Sequence, residues 1–192
     1  MRPQPTVRRS LSAKSADARL IPAIGVDGAR YPVDKLDAHR RGLLHDAMSV
    51  FLFDRNGDML LQRRAAAKYH CPGQWANACC THPDWGEDAA SGAARRLGEE
   101  LGLTPAPALS EFGETTYRAD VGGGLVEHER VRLFRAEVDR ETLSFALNPA
   151  EVSAVRWVSR EALHREAADT PERLTPWLRI YLRRWDALGL AA

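Results

Sequence analysis

Residues 79–103 read CCTHPDWGEDAASGAARRLGEELGL, and this stretch does most to decide the fold. A loop that contains glycine leads into a segment whose apolar residues recur at helical spacing on one face, namely Ala90, Ala93, Ala94, Leu97 and Leu101. This periodicity predicts a helix over residues 88–101, and Gly102 is placed to end it. The last turns of the helix carry two adjacent arginines and two adjacent acids, Arg95, Arg96, Glu99 and Glu100.

The charged end of this helix has two interpretations. Glu99 and Glu100 offer oxygen ligands to a hard divalent cation, and Mg²⁺ is the usual one with phosphate substrates. Arg96 and Glu100 are spaced i, i+4, so they share a helix face and can also form an ordinary surface ion pair worth about 0.2–0.5 kcal/mol. Taken alone, the helix favours the surface ion pair.

The composition of the whole chain narrows the class of protein. The 192 residues are the size of one globular domain, and 44% of them are hydrophobic. A net charge of +1 provides no strong basic field for nucleic acid or an anionic membrane, and no apolar run approaches the ~20 residues that cross a bilayer. The three cysteines, two of them adjacent, form a poor disulfide framework and favour a reducing, cytoplasmic location. Membrane, collagen-like, coiled-coil and disulfide-stabilised classes are therefore excluded.

The start of the chain differs in composition from the rest. It is rich in arginine, serine and proline and lacks the apolar core of a secretory signal. We predict a flexible tail over residues 1–18, followed by one domain over residues 19–188. An organelle transit peptide is the alternative for the tail, because such peptides are rich in Arg and Ser and poor in acids.

Short apolar or alternating runs predict strands that come in hairpins, and the turn Asp54-Arg55-Asn56-Gly57 predicts one hairpin between the runs on either side of it. The predicted strands are Leu20–Val26, Tyr31–Val33, Ser49–Phe53, Met59–Gln62, Trp75–Cys80, Phe112–Ala119, Arg130–Val138 and Val152–Val158. Two more helices are predicted, one opening at Ser159 and one over Leu178–Leu188 after Pro176. Paired strands with few helices indicate an α+β domain, one mixed sheet with helices packed on it.

The stretch 79–103 resembles the Nudix box, whose pattern is G-x5-E-x7-R-E-U-x-E-E-x-G-U. The positions that match in register are Glu87, Arg95, Leu97, Glu99, Glu100, Gly102 and Leu103. Thr81 stands where the pattern has its first glycine, and Arg96 stands where it has a glutamate. A positive charge inside the glutamate cluster argues against ordinary Nudix hydrolysis and suits phosphate binding, because a guanidinium pairs with phosphate in a bidentate way. We expect Glu87 to lie on another face of the helix from Glu100, and assign neither Glu87 nor Glu99 as a ligand.

Motifs around the box narrow the resemblance. Residues 42–70 (GLLHDAMSVFLFDRNGDMLLQRRAAAKYH) and 72–83 (PGQWANACCTHP) are followed in order by three further motifs, Tyr117, Glu127-His128-Glu129 and Thr175-Pro176-Trp177. This series, which spans residues 19–185, is similar to type 1 isopentenyl diphosphate isomerases. The resemblance implies a single-domain Nudix-like fold and an enzyme of isoprenoid biosynthesis. That enzyme moves the double bond of isopentenyl diphosphate by a 1,3-allylic proton shift and gives dimethylallyl diphosphate.

The same resemblance implies two metal sites. One divalent ion (Mn²⁺, Zn²⁺ or Mg²⁺) is expected at His39, His45, His82, Glu127 and Glu129, a ligand set that suits a first-row ion. A Mg²⁺ ion bound by Glu100 is expected to accompany the diphosphate. His39 and His45 are not spaced as a helical zinc pair, so a loop must bring them together. His70, His128 and His164 match no motif and are expected at the surface.

The resemblance also implies roles in catalysis and substrate binding. Cys80 and Glu129 are expected on either side of the five-carbon unit as the two proton-transfer groups, and Tyr117 is expected to polarise or shuttle the proton held by Glu129. Trp177 is expected to face the transient carbocation. The diphosphate is expected to be held by four cations, Lys35, Arg64, Lys68 and Arg96.

Three alternatives stay open at this point. A Nudix hydrolase of a nucleoside diphosphate derivative would use Glu99 and Glu100 but has no role for Cys80. A catalytically silent diphosphate-binding module would lose nothing but stability when Cys80 or Glu129 is removed. The third alternative concerns the segment 71–82 alone: it is a structural zinc knuckle formed by Cys71, Cys79, Cys80 and His82. In the leading interpretation the partner is a small-molecule substrate, with no nucleic acid or membrane, and the protein is a monomer or weak dimer.

Overall fold

The computed structural model describes residues 19–190, and the predictions for residues 1–18 lie outside this range. Within it, nine strands form the sheet: β1 (Leu20–Ile24), β2 (Arg30–Asp34), β3 (His45–Phe53), β4 (Met59–Arg64), β5 (Trp75–Asn77), β6 (Cys79–Thr81), β7 (Ser110–Gly122), β8 (Leu125–Glu137) and β9 (Val152–Val158). Four α-helices pack around them: α1 (Lys35–Arg41), α2 (Ala89–Leu101), α3 (Arg160–Asp169) and α4 (Pro176–Arg183). A 3-10 turn covers Pro171–Arg173. Over residues 19–190 no helix combines the length and apolarity that a membrane span requires.

Strand β3 is the centre of the sheet. It pairs antiparallel with β1 and β6 and parallel with β8, while β4 pairs with β5 and β9. The register sets His45 beside Glu129 across β3 and β8, and Glu129 beside Tyr117 across β8 and β7. It also sets Ser49 beside Cys80 across β3 and β6. Backbone pairing therefore brings together residues that are far apart in the chain.

Both faces of β3 are covered, which explains its nearly continuous apolar run. Met48, Val50 and Leu52 point to one core together with Leu97 of α2. Phe51 points to the other core, where its ring meets the Tyr181 ring of α4 edge to face at 5.4 Å. The two helices thus pack on opposite faces of one sheet, and β3 lies between them.

The predicted helix over 88–101 is confirmed with little change. Its first helical residue is Ala89, and the Asp88 side chain accepts the Ser91 backbone N–H at the N-terminus. Gly102 ends the helix in the left-handed region, with φ 74°. Ser159 likewise caps α3 by accepting the backbone N–H of Ala162.

Several other elements differ from prediction. Helix α1 was not predicted. The strands on either side of the Asp54–Gly57 turn pair only at Phe53–Met59, and beyond that pair β3 and β4 are hydrogen-bonded to other strands. The predicted strand Trp75–Cys80 is two strands divided at Ala78, because β5 pairs with β4 and β6 pairs with β3. The last helix runs over Pro176–Arg183 and is shorter at its C-terminal end than predicted.

Candidate active site

The candidate site is a cleft at one end of the sheet, where β3 begins beside β6 and β8. Its lining includes most residues that the sequence motifs singled out, in the full set Lys35, Arg64, Lys68, His70, Cys80, Thr81, His82, Arg96, Glu100, Glu127, Glu129, Glu151 and Trp177. The other motif residues, His39, His45 and Tyr117, are buried beside it. Every predicted site residue therefore belongs to one region of the fold.

A cluster of buried ligand atoms lies at the inner end of the cleft. His45 Nε2 is 3.1 Å from His82 Nε2, and His82 Nε2 is 2.9 Å from Glu129 Oε1. One ligand atom from each of His39, His45, His82 and Glu129 lies within 4.8 Å of the others. His39 and His45 meet because the chain turns through Gly42 between α1 and β3, the loop that their spacing requires.

Backbone carbonyls set the tautomers of His39 and His45. His45 Nδ1 lies 2.7 Å from the Leu43 carbonyl, and His39 Nδ1 lies 2.6 Å from the Lys35 carbonyl. A carbonyl accepts only, so in each neutral ring Nδ1 carries the hydrogen and Nε2 keeps its lone pair. His39 Nε2 is buried and has no hydrogen-bond partner among residues 19–190. Such an unpaired buried acceptor fits a divalent ion.

Burial keeps the imidazoles of His39 and His82 neutral. It lowers the pKa of His39 to about 4 and is the main reason that the pKa of His82 falls well below its ordinary value. Neutral imidazole is the form that ligates a metal ion. Burial also raises the pKa of Glu127 well above its ordinary value, and the neighbouring Glu129 carboxylate adds to the rise.

The predicted surface position of His70 is wrong. It was expected at the surface, but it is buried, and with His39 and Glu127 it forms a second group of potential ligand atoms within 4.8 Å of one another. The two groups share His39. His128 and His164 are half-buried and belong to neither group.

The Cys80 thiol lies on the other side of β3 from Glu129. The Ser49 hydroxyl donates to Cys80 Sγ at 3.3 Å and lies 2.8 Å from the Tyr181 hydroxyl. Burial raises the pKa of Cys80 well above its ordinary value, and the Glu129 charge raises it further, so the thiol is protonated at neutral pH. Tyr117 donates to Glu129 Oε2 at 2.6 Å.

The zinc-knuckle alternative finds no support in the described residues. All three cysteines are free thiols, and no group of potential ligands found within residues 19–190 includes one. Cys79 packs in the core with α2, and Cys71 is also buried. Both behave as small apolar side chains.

Cations crowd the outer part of the cleft. Lys35, Arg64, Lys68 and Arg96 all line it. Burial, followed by the charges of Lys68, Arg96 and Arg64, lowers the pKa of Lys35 to about 8. Glu151 offsets part of this charge, since its carboxylate lies 2.5 Å from Lys68 Nζ and 3.6 Å from Arg96. Arg64 and Arg96 are buried and Lys35 and Lys68 half-buried, and four such cations in one place indicate an anion site.

Comparison with known proteins assigns the family. The NUDIX domain family matches residues 43–178. An isopentenyl-diphosphate Delta-isomerase of Cereibacter sphaeroides is 55% identical over 164 residues, which cover 85% of this chain and 90% of that protein. One from Rhodobacter capsulatus is 52% identical over 165 residues, covering 86% of this chain and 92% of that protein. The chain belongs to the isopentenyl-diphosphate Delta-isomerase family of the Nudix superfamily.

A solved structure agrees on the fold of this isomerase family member. A crystal structure of a Deinococcus radiodurans protein matches it with a TM-score of 0.68 at 18% identity, covering 86% of this chain and 98% of that chain. At this identity the likeness concerns the fold alone. The predicted α+β Nudix-like domain is confirmed.

The Nudix box of this isomerase family member has its acids engaged with arginines. Glu87 lies in the loop before α2, not on the helix as predicted, and Arg95 donates to both of its oxygens at 2.7 Å. Arg95 also bonds Glu99 at 2.8 Å. Glu100 accepts from Arg96 at 2.5 Å and from the Gln62 amide at 3.0 Å. All three acids are thus tied to arginine, and Glu100 is the one of them that lines the cleft.

Sequence motifs missed several residues of the isomerase site. They are Ser49, Gln62, His70, Glu151 and Tyr181. Most belong to ordinary apolar or polar patterns of a strand, loop or helix, and only the tertiary fold places them at the cleft. His70 is the exception, because a histidine two residues after Lys68, within a motif-rich segment, is a signal that was available.

Proposed function

We propose that this cleft isomerises isopentenyl diphosphate to dimethylallyl diphosphate, with Cys80 and Glu129 as the two proton-transfer groups. The observation that carries the proposal is their placement. Cys80 is on β6 and Glu129 is on β8, on opposite sides of β3, and both line one cleft. A 1,3-allylic proton shift needs two such groups, because one proton is added at C4 and another is removed from C2.

The chemistry explains why these groups are buried. An unactivated alkene is a very weak base, so its protonation requires an acid held in a desolvated site. Cys80 is a protonated thiol there, and Glu129 is held between the Tyr117 hydroxyl and His82. Addition of a proton at C4 leaves a tertiary cation at C3, and loss of a C2 proton then forms the new double bond.

Trp177 serves as the aromatic wall of the hydrocarbon end. Its side chain is almost fully buried on α4 and lines the cleft. A cation over an indole face gains roughly 2 kcal/mol in a dry site. The Arg64 guanidinium already lies 5.2 Å from this ring, so Trp177 meets positive charge on one side before any substrate enters.

The inner cluster of His39, His45, His82 and Glu129 would hold one divalent ion, and Glu127, which lies in the adjoining group that shares His39, would be the fifth ligand. When bound, the ion supplies positive charge that lowers the proton affinity of the carboxylates. The residues fit it because the imidazoles of His39 and His82 are neutral, and within residues 19–190 His39 Nε2 is an unpaired buried acceptor. A Mg²⁺ ion at Glu100 with the diphosphate stays a prediction, and one carboxylate plus substrate oxygens is the usual form of such a site.

The four cations of the outer cleft, Lys35, Arg64, Lys68 and Arg96, would bind the diphosphate. Arg96 takes the place of a Nudix glutamate, and this exchange favours holding a diphosphate over cutting one. The cytoplasmic location and the state of monomer or weak dimer stay predictions.

The test is incubation with isopentenyl diphosphate and Mg²⁺ in D₂O, followed by proton NMR. Dimethylallyl diphosphate that carries deuterium is expected from the wild type. Cys80→Ala and Glu129→Gln should each abolish it while the far-ultraviolet circular dichroism is unchanged. Cys79→Ala, which removes the adjacent thiol, is the matched control and should stay active. An active Cys80→Ala variant contradicts the proposed role, and release of phosphate from nucleoside diphosphates would favour the hydrolase.

A further inference from the structure

His70 is a buried histidine to which the proposed mechanism gives no role. It lies in the loop between β4 and β5, and its side chain is only 5% exposed. Its ring stacks on the His39 ring with centroids 5.8 Å apart and meets the Trp177 ring edge to face at 5.9 Å. It therefore lies between a metal-ligand candidate and the wall of the hydrocarbon site.

The contact with Arg64 decides which nitrogen of His70 carries the hydrogen. Arg64 Nη2 donates to the His70 backbone carbonyl at 3.1 Å and in that position lies 3.5 Å from His70 Nδ1. A guanidinium has donors and no acceptor, so Nδ1 must offer its lone pair, and in the neutral ring the hydrogen is then on Nε2. His70 thus turns a donor, and not a lone pair, towards the metal cluster.

The atom that faces this donor is a carboxylate oxygen of Glu127. His70 Nε2 lies 3.8 Å from Glu127 Oε1, which is longer than a hydrogen bond. Glu127 is almost fully buried, and within residues 19–190 the hydrogen bond to its carboxylate is a long one of 3.4 Å from the Tyr117 hydroxyl. A buried carboxylate with so little support can accept a second donor after a small rotation of its side chain.

We propose that His70 is a positioning residue for Glu127: it donates its Nε2 hydrogen to Glu127 while Arg64 fixes the tautomer of the ring. His70 thereby stays outside the ligand set and orients one of its members. It also joins Arg64, which lines the anion site, to Glu127 at the metal cluster. This inference rests on the proposed metal cluster and adds a residue that the family motifs did not assign.

The test measures the affinity of the purified protein for Zn²⁺ by competition with a chromogenic chelator. His70→Leu removes donor and acceptor at similar size, and we expect the loss of affinity that outer-shell partners give, about 10-fold to 100-fold. His70→Gln keeps an oxygen for Arg64 and an N–H for Glu127, so its affinity should stay within about threefold of wild type. His164→Leu, at a half-buried histidine outside both ligand groups, is the control and should bind Zn²⁺ like wild type.

The Co²⁺ visible spectrum separates a positioning residue from a ligand. With His70 outside the ligand set, the spectra of the Co²⁺-loaded wild type and His70→Gln should coincide. Two results would overturn the proposal. One is wild-type affinity for Zn²⁺ in His70→Leu. The other is a loss of affinity in His70→Gln that equals the loss in His70→Leu and is accompanied by a changed Co²⁺ spectrum. If His70→Leu does not fold, the His70→Gln comparison alone decides. A wild type that binds Zn²⁺ but does not isomerise would contradict the proposed function and leave the result for His70 standing.

Discussion

The binding of the diphosphate should depend on pH through Lys35. Burial and the nearby charges of Lys68, Arg96 and Arg64 lower the pKa of this lysine to about 8. Lys35 is therefore charged below about pH 8 and loses its charge as the pH rises through that value. Because the charged form is the one that attracts the diphosphate, affinity should fall above pH 8.

The size of the effect follows from this pKa. With a pKa of about 8, roughly nine-tenths of Lys35 is charged at pH 7 and roughly one-tenth at pH 9, so affinity that needs the charged form falls about tenfold. The direct assay is titration calorimetry with isopentyl diphosphate, a saturated analogue that cannot be isomerised. In kinetics the same fall should appear in kcat/KM, which reports the free enzyme. In kcat it should appear at higher pH, because the bound diphosphate raises the pKa of Lys35.

Lys35→Arg is the matched control, because a guanidinium keeps its charge throughout this range. The ratio of wild-type affinity to Lys35→Arg affinity should fall about tenfold between pH 7 and pH 9, and any titration of the analogue cancels in that ratio. A ratio that stays constant refutes the assignment of this pH dependence to Lys35.

Three further predictions concern the box helix and the metal cluster. Arg96→Glu, which restores the Nudix pattern, should weaken binding of isopentyl diphosphate at least about tenfold by calorimetry, because it reverses a charge in the anion site; unchanged affinity would make Arg96 only a partner of Glu100. Exhaustive chelation should remove isomerisation, and Zn²⁺ or Mn²⁺ should restore it; full activity with no metal retained contradicts the metal cluster. Gly102→Ala should lower the free energy of unfolding in urea by about 1–3 kcal/mol, since φ is +74° and the new Cβ would lie 2.6 Å from Ala146; wild-type stability would contradict this.

Local signals predicted the elements whose ends are set by their own residues. Helix α2 was predicted almost to the residue, because its apolar face, the Asp88 cap and the Gly102 terminus all lie within one short segment. Helix α1 was not predicted. It has only seven residues, too few for a clear periodicity, and its Asp34 and Gly42 caps lie in segments with stronger strand and loop signals.

Strand pairing was the part that local signals predicted least well. The Asp54–Gly57 turn indicated that β3 and β4 pair along their length, but β3 instead pairs with β8 over nine positions from His45 to Phe53. A turn sequence fixes where two strands reverse direction, whereas the partner of each later residue depends on burial of both faces of the sheet. For β3 that burial comes from α2 and α4, which follow it in the chain.

The site residues also fall into two groups: those that local motifs predicted and those that the motifs missed. The motif residues came together as predicted, because each motif already carries its own spacing and the sheet register supplies the rest, as with His45 beside Glu129. Glu151 and Ser49 were missed because their roles depend on contacts with Lys68 and Cys80 that are distant in sequence. Side chains that contact the site residues but belong to no motif cannot be identified from a single sequence.

In this protein the first acid of the Nudix box, Glu87, joins the preceding loop to helix α2. Glu87 accepts the backbone N–H of Asp84 at 2.8 Å, and Arg95 holds the same carboxylate from α2. The loop between His82 and the helix is therefore tied to α2 through Glu87. Because His82 immediately precedes this loop and Cys80 lies two residues earlier, the box would fix both the proposed ligand and the proposed proton-transfer group. Arg96 adds positive charge to the cleft, so in the proposed function one helix would support both the binding of the diphosphate and the placement of the reacting groups.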